Sequence, residues 1–111
     1  MSTPAEAFAL LEIRVGKIVR AEPHPKARKP SYRLWIDLGP ELGVKQSSAQ
    51  ITEVYSLAEL PGRLVICATN LGSRNIAGFA SEVLTMGVND AHGRVVLLQP
   101  ERDVPLGSRV Y

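Results

Sequence analysis

Ser31-Tyr32-Arg33-Leu34-Trp35-Ile36-Asp37-Leu38-Gly39 decides the fold class. Tyr32, Leu34, Ile36 and Leu38 fall on one face, and Arg33, Trp35 and Asp37 on the other. Strict period-two alternation between turn formers predicts a half-buried β-strand. The first face is a core face. The second carries the single Trp of the chain between opposite charges. A large ring there predicts covered surface: a binding platform, a subunit contact, or a loop of the chain lying over it.

Working upstream, Glu12 to Pro23 alternates as a strand, with Ile13, Val15, Lys17, Val19 and Ala21 set against Glu12, Arg14, Gly16, Ile18, Arg20 and Glu22. Gly16 predicts a bend or bulge, as a small barrel needs where a strand turns a corner. Between the two strands lies Pro23-His24-Pro25-Lys26-Ala27-Arg28-Lys29-Pro30. Its prolines suppress helix and ladder pairing, so the cations Lys26, Arg28 and Lys29 are expected on a loop. His24 is expected to shape the turn between its prolines. Before all this, Ser2-Thr3-Pro4-Ala5-Glu6 reads as a helix start, with Thr3 as cap, Pro4 at the first position and Glu6 completing a capping box. The apolar Ala5 to Leu11 helix that follows is short and must pack on something.

Downstream, Gly39 to Gly43 reads as a turn, Val44 to Ile51 as a third strand and Glu53 to Leu60 as a short helix ended by Pro61-Gly62. Arg63 to Ala68 is apolar on both faces, which predicts a strand covered on both sides. Cys67 within it reads as a buried hydrophobe. Asn70 to Asn75 is a polar loop, Ile76 to Val88 a strand bent at Gly78, and Asn89 to Gly93 a hairpin turn before Val95-Val96-Leu97-Leu98. Pro100 to Tyr111 is a tail.

At 111 residues the chain is expected to be one domain, 1–111, with a real core and little to spare. A lone Cys excludes an internal disulfide, and one Cys with two distant His residues has no zinc spacing. No apolar run approaches a membrane span and no signal peptide is visible, so a cytoplasmic protein without membrane insertion is expected. A net charge of +2 alone does not indicate nucleic acid, so the distribution of charge matters more. No nucleophile–base pair, phosphate-cradling Gly loop or spaced carboxylate pair is present; no enzyme, catalytic residue, metal or cofactor is expected.

Five or six short strands with one short helix between strands three and four predict an all-β fold, the five-stranded Greek-key barrel of the OB-fold, preceded by a short N-terminal helix. Such barrels bind ligands across strands two and three and the adjoining loops, where Lys26, Arg28, Lys29, Arg33, Lys45 and Arg74 recur as candidate RNA contacts. Aromatic platforms are few, which fits a folded RNA recognised by shape better than a single strand. Candidate apolar contacts for a polypeptide are Trp35, Ile76 and Phe79, with Met86 beside them. For Phe79 and Met86 the competing role is core or dimer contact.

Ile13-Arg14-Val15-Gly16-Lys17-Ile18, His24-Pro25-Lys26-Ala27, Tyr32-Arg33-Leu34 with Asp37 and Gly39, Tyr55, Glu59-Leu60, Gly62, Asn70-Leu71 and Ser81 resemble the tRNA-binding domain appended to some aminoacyl-tRNA synthetases. Within that family, Ala27 to Tyr32, Gly43 to Thr52 and Ile76 to Leu84 more closely resemble the free-standing CsaA-type proteins. This resemblance implies a homodimeric OB-fold chaperone of the cytoplasm that binds unfolded or precursor polypeptides and the export motor SecA. The alternative it implies is a tRNA-binding module recognising folded RNA through a basic face. The helix (1–11) and the tail (100–111) are expected in the dimer interface. Ser81-Glu82-Val83 departs from the Ser-Gly-Met of the synthetase modules, and Trp35 stands where those modules commonly carry a polar or basic residue. The first weakens the carry-over of that part of the RNA site, and the second tilts the expectation toward polypeptide.

Overall fold

A computed structural model describes residues 3–111. Helix α1 (Pro4–Leu10) starts as expected: Thr3 Oγ1 accepts from the Glu6 amide at 3.2 Å, and Glu6 Oε1 accepts from the Thr3 amide at 3.1 Å. Ser2 lies outside the described residues. The strands are β1 (Ile13–Pro23), β2 (Tyr32–Asp37), β3 (Val44–Ala49), β4 (Leu64–Ala68), β5 (Arg74–Ile76), β6 (Phe79–Ser81), β7 (Leu84–Thr85), β8 (Gly87–Asn89) and β9 (Val95–Leu97).

The main sheet is antiparallel in the order β3-β2-β1-β4-β7. It curls until β3 meets the chain just ahead of β7. Gln46 O accepts from the Glu82 amide at 2.8 Å, Glu82 Oε1 accepts from the Gln46 amide at 3.0 Å, and Ser81 Oγ accepts from the Ser48 amide at 3.0 Å. These bonds nearly close a five-stranded barrel, the all-β OB-fold. The Ser81-Glu82-Val83 departure thus has a structural role in this closure.

Strand β2 sits at the centre of the core. Leu34, Ile36 and Leu38 are wholly buried, together with Ile18, Leu60, Val65 and Cys67. Inner and outer faces of β2 are as its alternation dictates. Strand β1 differs. Its register to β2 slips between Ile18 and Arg20, so Ile18 and Ala21, three residues apart, both pack on the core while Val19 points to solvent. The bulge therefore lies at Val19 and not at Gly16. Gly16 serves a close approach instead: a Cβ there would lie 2.5 Å from Ile36 Cγ2 and 2.8 Å from Leu38 Cδ2.

Three further expectations are corrected. Gly39 to Leu42 forms one helical turn, α2, and is not only a turn. The segment after Ile51 is mostly turns, with a 3-10 helix only at Leu57–Glu59. Ile76 to Val88 is not one bent strand. Ala77 and Gly78, both with left-handed φ (+49° and +84°), close a tight β5–β6 hairpin, and the chain then passes through β7 to β8. The β8–β9 hairpin turns at Asn89 to Gly93 as expected. The tail runs along the free edge of β1 beyond β2, with the Val15 amide donating to Ser108 O and the Val110 amide to Ile13 O.

Cys67 is wholly buried on β4, and that burial pushes its thiol up to about 12. Only the thiolate is nucleophilic. Alkylation of the folded protein at mildly alkaline pH is therefore expected to be at least about a hundredfold slower than in denaturant. Comparable rates would mean that the inner face of β4 is open.

Candidate functional site

The Pro23 to Pro30 loop is held at both ends. The His24 amide donates to Ser31 O, the Ala27 amide to His24 O and Ser31 Oγ to Lys29 O. His24 itself is 6% exposed, with Nδ1 3.2 Å from Ser48 Oγ and its ring edge-on to Phe79. It pins the loop to β3, in keeping with the turn-shaping role expected of it. Its Nε2 is buried without a hydrogen-bond partner among the described residues.

Between this loop, the end of β3 and the whole of β5 lies a groove of about 780 Å³. Lys26, Arg28 and Lys29 line one side and Arg74 the other, with Ser48, Gln50 and Ile76 between. None of its lining residues is acidic. Among the described residues, none of these four cations pairs with a carboxylate. Their fields add in one concave place, which is how a modest net charge produces a strongly positive site.

The other two candidate cations do not join them. Arg33 is occupied: Nη2 meets Glu22 Oε1 at 3.1 Å and Nε donates to Pro23 O at 2.9 Å. It lies in an adjoining recess with His24, Lys26 and Phe79. Lys45 lines a separate recess with Leu42, Asn70, Ser73 and Glu82. The six-cation track expected from sequence is therefore a cluster of four, a paired neighbour and an outlier.

Of the three apolar candidates, only Ile76 lines the groove, where it is half-buried. Phe79 is 8% exposed and belongs to an aromatic cluster with His24 and Trp35, the Trp35 ring lying edge-on to it at 5.5 Å. Trp35 is half-buried. The Arg20 guanidinium lies 4.5 Å from its ring centroid, held by an ion pair with Glu22. With the Gln46 amide oriented to satisfy both of its ends, its oxygen accepts from Trp35 Nε1 at 3.2 Å and its nitrogen donates to Ala80 O at 3.1 Å. Arg20 was not foreseen as a partner, because the β1 register slip sets which residue crosses Trp35. Met86 is half-buried near the barrel end, its amide bonded to Ile66 O.

Among the described residues, no three His, Cys, Asp or Glu side chains could together hold a metal ion. No helix among them is long and apolar enough to cross a membrane. The groove's chemistry is that of a binding surface.

Comparison with known proteins places this geometry. The family model described as "Putative tRNA binding domain" matches residues 13–109. The chain belongs to that family. It is 36% identical over 105 residues to the methionine--tRNA ligase of Thermococcus kodakarensis, a match that covers 95% of this chain and 14% of the ligase. The chain thus spans about one-seventh of the length of the curated relatives it matches. Over its full length it is similar to several solved structures, two of them CsaA chaperones. One is the chaperone CsaA of Bacillus anthracis, at 42% identity with a TM-score of 0.91, and the other the CsaA chaperone protein of Picrophilus torridus, at 39% identity with a TM-score of 0.91. Each alignment covers 100% of both chains. Its structural neighbours thus include CsaA chaperones and, in fold, a MetRS related protein of Pyrococcus horikoshii at 23% identity with a TM-score of 0.85.

Proposed function

We propose that this protein is a non-catalytic, cytoplasmic chaperone of the CsaA kind, a homodimer that holds unfolded or export-bound polypeptides in its basic groove and hands them to the export motor SecA. The observation that carries the proposal is the groove itself, where Ile76 offers apolar contact within a rim of unpaired Lys26, Arg28, Lys29 and Arg74. Whole-length similarity to two CsaA chaperones supports it. Trp35 and Phe79 contribute by holding the β5–β6 hairpin and the loop in place, through Gln46 and His24.

A surface patch supports the homodimer. Phe8 and Leu10 of α1 are exposed, and Arg109 Nη2 ties the tail to that helix by donating to Ala9 O at 2.9 Å and Leu11 O at 3.2 Å. Helix and tail thus form one apolar surface, ending in a fully exposed Tyr111, that a second copy would cover. Light scattering at micromolar concentration is expected to give twice the monomer mass.

A second ligand, folded tRNA, is favoured by the same four unpaired cations. Phosphate contacts of this kind are sequence-independent and weaken steeply with salt. Suppression of aggregation of a thermally unfolding test protein separates the two. Ile76→Ser, which removes the apolar contact without adding charge, is expected to lower suppression about tenfold while leaving low-salt tRNA binding within a fewfold of the parent. If Ile76→Ser suppresses aggregation as well as the parent does, the polypeptide assignment fails and tRNA becomes the leading ligand.

A further inference from the structure

We infer that the groove receives its polypeptide as an added β-strand along β5, and that the segment it takes is an extended one carrying acidic side chains. The inference rests on the polypeptide-binding proposal and specifies its mode and its partner's chemistry.

The first observation is a free edge. Among the described residues, strand β5 has one neighbour, β6. In the hairpin, Ile76 faces Phe79 across the two-residue turn, so these two form the closing hydrogen-bonded pair. The next pair, Asn75 with Ala80, is then of the non-hydrogen-bonded kind, which turns the Asn75 N–H and C=O away from β6. Neither group has a backbone partner among the described residues. Unpaired edge groups are a template for another extended chain. The Asn75 side chain is committed elsewhere, Oδ1 accepting from the Gly78 amide at 2.8 Å, which holds the hairpin in shape without occupying the edge.

The second observation is charge. An added strand projects every second side chain to one face. Arg74 and Ile76 are two apart and both line the groove, so a segment beside them meets a cation and an apolar side chain in register. Across the groove stand Lys26, Arg28 and Lys29, with no carboxylate lining the space. Acidic side chains complement that wall and basic ones are repelled by it. A nucleic acid would satisfy the cations but has no use for the Asn75 donor and acceptor in strand register. The combination favours polypeptide.

The test uses the full chain and a short fluorescent peptide alternating Glu with Val and Thr, with four companions: the same peptide with Lys for Glu, the acidic peptide N-methylated at alternate residues in each of the two registers, and tRNA. The acidic peptide is expected to bind at least about tenfold tighter than the Lys peptide. N-methylation at the residues facing β5 is expected to cost about tenfold, and N-methylation in the opposite register little. Hydrogen exchange at the Asn75 amide should slow when the acidic peptide is bound. Equal binding of both N-methylated registers, with the Asn75 amide unprotected, overturns strand addition while leaving polypeptide binding standing. Binding of tRNA with no peptide or unfolded chain bound overturns both.

Discussion

Ile36→Ala is expected to remove roughly 2–5 kcal/mol of unfolding free energy. Ile36 is wholly buried on β2, opposite Ile18 on β1 and Lys45 on β3. Its methyl groups fill the space that Gly16 leaves, where not even one added carbon would fit. Truncation leaves a cavity that flanking strands on both sides prevent from collapsing, the condition under which such losses run high. A domain of this size holds on the order of 5–15 kcal/mol in total, so the variant should be partly unfolded under mild denaturant. Urea unfolding followed by circular dichroism measures the loss. A cost below about 1 kcal/mol would mean that the inner face of β2 is not the centre of the core.

The second large effect concerns binding. Replacing Lys26, Arg28 and Lys29 together with Glu is expected to weaken binding of an acidic polypeptide by about a hundredfold or more at low salt. It should also flatten the salt dependence of any tRNA binding, since up to about three phosphate contacts would be lost. The three side chains make no hydrogen bond or ion pair among the described residues, so thermal stability should change little. Lys45→Glu is the control. Its side chain lines a different recess, and its effect on binding should stay within about twofold, as expected of a charge outside the contact. Equal damage from Lys45→Glu and from the loop reversals would place the ligand elsewhere on the barrel.

What was legible in the sequence was local. The period-two pattern of Tyr32 to Leu38 marks β2 and its buried face because strand geometry alone sets that alternation. Thr3, Pro4 and Glu6 mark a helix start because a capping box is closed within four residues. What was not legible depended on partners distant in the chain. Nothing local in Ile18-Val19-Arg20 reveals that β1 slips by one residue against β2, yet that slip sends Ile18 inward and lays Arg20 over Trp35. The β5–β6 turn was hidden because Ala77, not Gly or Asn, occupies its first left-handed position.

The site divides along the same line. Lys26, Arg28 and Lys29 were legible as a cluster because a proline-bounded loop keeps sequence neighbours together. Arg74 joins them only through the hairpin that carries it back to the groove. Arg33 drops out because β1 sets Glu22 beside it, and Lys45 because its recess lies toward Asn70 and Glu82. Trp35, expected to be covered, is half-buried and braced between Arg20, Phe79 and Gln46. Ile76, not the Trp35 ring, lines the groove beside the edge of β5.

The most direct measurement is an amide chemical-shift titration of the isotopically labelled protein with a permanently unfolded, carboxymethylated polypeptide. Saturable shifts are expected at Lys26 to Lys29 and at Arg74 to Ala77, the two walls of the groove. Shifts absent from both walls, with tRNA alone perturbing them, would contradict a polypeptide-binding groove.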